Sequence, residues 1–244
     1  MHLQNIIFST LIDVDLIQTF MMQDFMGKLI VVIIMIFSIV SWAVIGFKWV
    51  QIRTALKQTR AFVKNCREKY GTLEDAYQLA LRYPGSPLTR IIKELYLEFE
   101  LQKWTIIEDE TRKFSNKMSD INSYVEHIEK AIDKATINEI SILDKYLNIL
   151  NITQNLCPLL GLLGTVWGIL AAFQVIAIQG SADFNIISAG ISTALLTTVA
   201  GLAAAIPAVL FYNYFLGKNN EIISNMDTFA NELSSIIRKH LGGN

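Results

Sequence analysis

Apolar and polar positions fall into two regimes along the chain. Three stretches hold no Asp, Glu, Lys, Arg or His: Leu29–Phe47, Tyr146–Ala182 and Phe184–Gly217. A helix needs about 20 apolar residues to cross the hydrocarbon core of a bilayer. The first stretch, with 19, just fits, and the other two have room to spare. The pattern predicts transmembrane helices at 29–47, 146–178 and 187–215, with a short link at 179–186. A buried helix in a soluble core is the competing reading. A chain of 244 residues cannot bury three such helices on all sides.

Outside the spans the pattern is helical and water-facing. Residues 48–145 are rich in both charge signs, with no alternating strand pattern. The run Tyr83-Pro84-Gly85-Ser86-Pro87 breaks any helix. Gly71-Thr72 is a weaker break, with Thr72 as an N-cap and Asp75 three residues on. Lys48–Lys69 continues the first span. Thr105–Leu150 contains no Gly or Pro. Its apolar residues Ile121, Tyr124, Ile128, Ile132, Ala135, Ile140, Leu143, Leu147 and Leu150 recur at steps of three and four, with one slip of five. One long helix is expected from about residue 105 into the second span. The tail, 216–244, predicts an amphipathic helix from Ile222, Ile223, Met226, Phe229, Leu233, Ile236 and Ile237. The first 28 residues hold Ile6, Ile7, Leu11, Ile17 and Phe20 among polar positions. They read as an interfacial helix or as a disordered tail.

Charge gives this layout an orientation. Of 21 basic residues, Lys28 alone precedes the first span, and the other twenty lie in 48–145 or after the third span. The positive-inside rule puts 48–145 and 216–244 in the cytoplasm. The N-terminus and the link 179–186 face outward. Asp13, Asp15 and Asp24, with no basic n-region, argue against a cleavable signal peptide. Residues 29–47 then act as an uncleaved anchor.

Composition mainly excludes. Charged residues make up 18 %, well below the quarter or so of an average soluble domain. A net charge of −1 argues against a nucleic-acid binder. Cys66 and Cys157 cannot form a four-ligand zinc site, and His2, His127 and His240 lie far apart. No phosphate loop, nucleophile elbow or metalloprotease motif is present, so neither an enzyme nor a cofactor is expected.

The second and third spans carry small residues at helical spacing. Gly161, Thr165, Gly168 and Ala172 form one face, and Gly190, Ala194, Thr197 or Thr198, Gly201 and Ala205 another. Pro158 and Pro207 lie in the same spans. Small residues allow close helix approach in a bilayer. Hydroxyls also recur: Thr165, Ser188, Ser192, Thr193, Thr197 and Thr198. They can line a pore and hold a proton-carrying water chain, or bond back to their own helices. No ionisable residue lies inside the spans. Proton conduction therefore needs a carboxylate from a partner.

Two runs carry a family resemblance. One is Gly161-Leu162-Leu163-Gly164-Thr165-Val166-Trp167-Gly168-Ile169. The other is Gly190-Ile191, Ala194-Leu195, Thr198, Gly201-Leu202-Ala203-Ala204-Ala205-Ile206-Pro207-Ala208-Val209 and Tyr212-Asn213. They resemble the MotA/TolQ/ExbB family of proton-channel subunits, and the three-span layout agrees over the whole chain. The resemblance implies an all-α inner-membrane protein, a homopentamer around a central pore, with the second and third spans extended by long cytoplasmic helices. The pore would hold the helices of a TolR-like dimer, each supplying an aspartate, and a TolA-like protein would complete the machine. Thr165 and Thr198 match the family's pore-facing threonines, with Thr193, Thr197 and Ser192 as further pathway candidates. Gly161, Gly164, Gly168, Gly190, Gly201, Pro158 and Pro207 are implied in packing. The family usually has glutamate at Thr193 and a small apolar residue at Thr197. The segments Ser38–Ile45 and Asn213–Ile237 are similar to the Tol branch. The Exb branch, which energises outer-membrane transport, is the alternative, and a passive scaffold is an alternative of another class.

Overall fold

The computed structural model describes residues 20–21, 23–69, 73–109, 117–179 and 184–241. The main elements are α1 (Phe25–Lys69), α2 (Leu73–Leu81), α3 (Pro87–Asp109), α4 (Lys117–Asp144), α5 (Leu147–Gln179) and α6 (Phe184–Leu241). No strand occurs among the described residues. Three helical runs, Phe25–Cys66, Val125–Ile178 and Ile187–Arg238, are long and apolar enough to cross a membrane. Most of the expected N-terminal interfacial segment, and the Thr72 cap, fall outside the described residues. Two compact units result. One holds the described residues up to Ile45 together with Tyr146–Asn213, and the other holds Gly46–Lys145 and the tail from Tyr214.

The first unit is apolar. Asp24 caps α1, its Oδ1 accepting the Gly27 amide at 2.8 Å. Ile30 and Ile34 of α1 pack with Cys157 of α5 and with Ala204 and Ala205 of α6. The buried Ser41 hydroxyl donates to Thr153 Oγ1 at 2.9 Å, and that hydroxyl donates to the Ile149 carbonyl at 2.9 Å. Each hydroxyl thus has a partner, which burial in an apolar setting demands. Leu159, Leu162, Val166, Leu170 and Phe173 of α5 remain about half exposed. Lipid or another protein chain is the natural cover for so continuous an apolar surface.

The second unit is built around Phe62, fully buried on α1. It meets Tyr83 and Phe229 edge-on, at centroid distances of 6.5 and 6.3 Å. Leu88, Ile91, Ile92 and Leu95 of α3, Ile128 and Ile132 of α4, and Ile222 and Met226 of α6 are also buried. The Tyr83–Pro87 break is present, with Pro87 opening α3. Gly85 sits against α1, its amide donating to Gln58 Oε1 at 2.7 Å. The Ser86 and Thr59 hydroxyls share a hydrogen bond at 2.8 Å.

Arg90 grips the buried Glu139 carboxylate with both oxygens in reach, at 3.1 and 2.9 Å. Burial raises the Glu139 carboxyl above its usual range, and the Arg90 charge only partly opposes this. Folding therefore favours the protonated form. The site's contribution is complete below the unfolded value and is lost as pH rises through the raised folded one. Thermal unfolding of Glu139→Gln between pH 4 and 7 is expected to lack that component. A pH profile parallel to that of the parent chain would refute it.

The junction before the second span differs from the sequence expectation. The predicted single helix from about 105 to 150 is interrupted: α4 ends at Asp144, and Tyr146 has φ 71°. This left-handed conformation is costly for a tyrosine. Two donors converge there on the Leu143 carbonyl. Lys48 Nζ reaches it at 2.7 Å and Asn219 Nδ2 at 2.7 Å. Lys48 also donates to Gln51 Oε1 at 2.9 Å, and Asn219 to Asp144 Oδ1 at 3.0 Å. Both side chains are fully buried. They satisfy the carbonyl at the end of α4, where the regular helix stops.

Candidate functional site

α5 and α6 approach at glycine. A Cβ added to Gly161 would lie 3.0 Å from both the Thr197 carbonyl oxygen and the Thr198 Cα. One on Gly201 would lie 2.5 Å from the Cys157 carbonyl oxygen. Gly168 faces Ala194, and Gly190 faces Ala172, with corresponding distances of 2.7 and 2.8 Å to their Cβ atoms. Gly164 lies against the Thr197 side chain. Hydrogen is the only substituent these positions accommodate without movement, and dispersion contacts between the backbones follow. Pro158 and Pro207 lie inside α5 and α6. Each removes one amide donor from its helix, a loss that surrounding groups can make good in a membrane protein.

The hydroxyls sort into two groups. Thr197 is only 1 % exposed and lies inside the helix pair. Its Oγ1 is 2.7 Å from the Ala194 carbonyl and 3.2 Å from that of Gly161. In this chain Thr197 is thus enclosed between α5 and α6. Thr198 is half-buried and donates to the Gly161 carbonyl at 3.0 Å. Thr165 donates within α5 to Leu162, at 2.7 Å. Thr193 donates to Gly190 at 2.9 Å, and Ser192 is exposed. The structure therefore gathers Gly161, Thr197 and Thr198 around one carbonyl.

The hydrogen-bond directions decide what these groups offer. A hydroxyl carries one proton and two lone pairs. Thr165, Thr193 and Thr198 each direct that proton at a backbone carbonyl. Their remaining capacity is acceptance.

Two polar contacts made just before α1 have no signal in the sequence. Gln23 is 95 % buried and donates from Nε2 to the Thr193 carbonyl at 2.9 Å. Asp24 Oδ2 accepts the Trp167 indole N–H at 2.7 Å. Trp167, part of the run that carries the family resemblance, is thus a hydrogen-bond donor to a carboxylate. These pairs are 170 and 143 residues apart in sequence, beyond the reach of any local pattern.

The sequence profile of the MotA/TolQ/ExbB proton channel family matches residues 105–228. Among similar proteins, the Tol-Pal system protein TolQ of Haemophilus influenzae is 28 % identical over 238 residues, covering 95 % of this chain and 97 % of that protein. TolQ of Pseudomonas aeruginosa is 28 % identical over 217 residues, 87 % of each chain. The biopolymer transport protein ExbB of Xanthomonas campestris pv. campestris is 36 % identical over 116 residues, 48 % of this chain and 46 % of that one. The profile match takes in α5, the paired threonines of α6 and the glycine contacts between them, and on it the chain belongs to the MotA/TolQ/ExbB proton channel family.

Proposed function

We propose that the chain is the inner-membrane channel subunit of a Tol-Pal-like system, coupling proton-motive force to work on the cell envelope. Five copies surround a pore, and a TolR-like dimer inside it brings the aspartate that the spans lack. A TolA-like protein carries the force outward. Residues 1–28 lie on the outer face, followed by spans at 29–47, 146–178 and 187–215. The link 179–186 is periplasmic. Residues 48–145 and 216–244 are cytoplasmic and extend the helices beyond the bilayer.

The observation that carries this reading is the set of hydroxyls already donating to backbone carbonyls in spans whose own sequence carries no charge. Their lone pairs accept the proton of a carboxylic acid as they stand. To donate to a carboxylate, a threonine must rotate and give up its carbonyl bond. Thr165 and Thr198 thus distinguish the two forms of a partner aspartate without fixing either as an ion pair. Thr193 and Ser192 extend the hydroxyl path, while Thr197 holds the helices together. Gly161, Gly164, Gly168, Gly190 and Gly201 keep the carbonyls within hydroxyl reach.

Similarity to TolQ over nearly the whole chain supports the Tol assignment. The higher identity to an ExbB over half of it favours the second reading, an ExbB-like subunit energising outer-membrane transport. Complementation of strains lacking either system separates them. Restored outer-membrane integrity in the first, with no restored nutrient uptake in the second, is expected. Thr165→Ala and Thr198→Ala are each expected to leave oligomer size unchanged and to reduce complementation at least tenfold. Normal complementation by both would remove the hydroxyl mechanism. Activity that survives collapse of the proton gradient would instead indicate a passive scaffold.

A further inference from the structure

The first charge-free stretch ends at Phe47, and six basic residues follow before the first acid, Glu68. Lys48 is buried, but Arg53, Lys57, Arg60 and Lys64 are exposed. Trp49, Arg53, Lys57 and Arg60 are spaced four, four and three apart, which places them on one face of α1. The Arg53 guanidinium carbon lies 4.4 Å from the Trp49 ring centroid. Trp49 in turn stacks on Tyr214 of α6, with centroids 5.6 Å apart and planes at 29°. Val50, next to Trp49 in sequence, is 66 % exposed. Lys218 pairs with Glu221 at 2.7 Å, and the Arg60 charge acts on both.

We propose that Trp49, Tyr214 and Arg53 form a seat for the phosphate of an anionic phospholipid, with Lys57 and Arg60 extending it. The inference rests on the membrane-spanning reading of 29–47 and not on proton conduction. Stacking on Trp49 fixes the guanidinium plane and leaves its edge N–H groups to grip phosphate oxygens. Amphipathic rings settle at headgroup depth, where an apolar span meets water. Exposed Val50 supplies the apolar contact for the upper acyl chain. An acidic protein partner would match the charge but not the apolar rim. A lipid matches both.

The test is native mass spectrometry of the full chain in mild detergent. Phosphatidylglycerol and phosphatidylethanolamine with identical acyl chains are supplied in turn. Preferential retention of phosphatidylglycerol is expected. Arg53→Gln should cut that retention roughly fivefold, as for loss of one basic group near an anionic surface, and leave phosphatidylethanolamine unchanged. Trp49→Leu should do the same, with Trp49→Phe partly restoring retention. Lys134→Gln, which alters another exposed lysine, should have no effect. Equal retention of the two lipids overturns the proposal. So does an Arg53→Gln loss no greater than that of Lys134→Gln. A change in oligomer mass with lipid retention intact would make this face a subunit contact and would likewise overturn it.

Discussion

Alanine at position 201 is expected to destabilise the chain by about 3 kcal/mol, the upper end of the range for overpacking a tight interior. The added methyl would sit 2.5 Å from the Cys157 carbonyl oxygen and 3.2 Å from the Gly161 Cα. Both neighbours are backbone, so no side-chain rotation relieves the contact. α5 and α6 must separate, which stretches the Thr198 bond to the Gly161 carbonyl. Gly217 provides the contrast. A Cβ there meets nothing within 4 Å, so Gly217→Ala should gain up to about 1 kcal/mol of helix propensity. Thermal unfolding in detergent reads both. Equal shifts for the two variants would show that close approach of these helices contributes nothing.

Lys48→Met is expected to cost about 2 kcal/mol, the scale for removing a charged hydrogen-bond donor. Methionine nearly matches the shape of lysine but cannot donate to the Leu143 carbonyl or to Gln51. Asn219 keeps its own bond to that carbonyl, so the loss is partial. Lys134→Met, on an exposed face of α4, should be neutral. In thermal unfolding, Lys48→Met should melt roughly 5 °C below the parent chain. If it unfolds with Lys134→Met, the buried ammonium does not secure the junction.

Much of the fold was legible because its signals are local. Each charge-free stretch overlaps a helical run long and apolar enough to cross a membrane, and two prolines and a glycine stopped the helix at Tyr83–Pro87. The break at Tyr146 was not legible. Leu143, Leu147 and Leu150 keep a helical rhythm across it, with no glycine or proline to mark the turn. Its support comes from Lys48 and Asn219, 95 and 76 residues away from Leu143. The small residues pointed to close helix packing, but the hydroxyl count could not separate Thr197 from Thr198. Adjacent residues differ by about 100° around a helix. Only the position of α5 decides that one is enclosed and the other half-open.

The orientation of the threonine protons also bears on acid strength. Hydrogen bonding to the neutral form of a carboxyl raises its pKa, and bonding to the anion lowers it. With the Thr165 and Thr198 protons committed to carbonyls at 2.7 and 3.0 Å, a carboxyl seated against them meets acceptors first. If it sits there as proposed, it would be a weaker acid than in water. Rotation of either hydroxyl toward the carboxyl reverses the preference and strengthens the acid. On the proposed role of these hydroxyls, each side chain would tune both uptake and release through torsion about one bond.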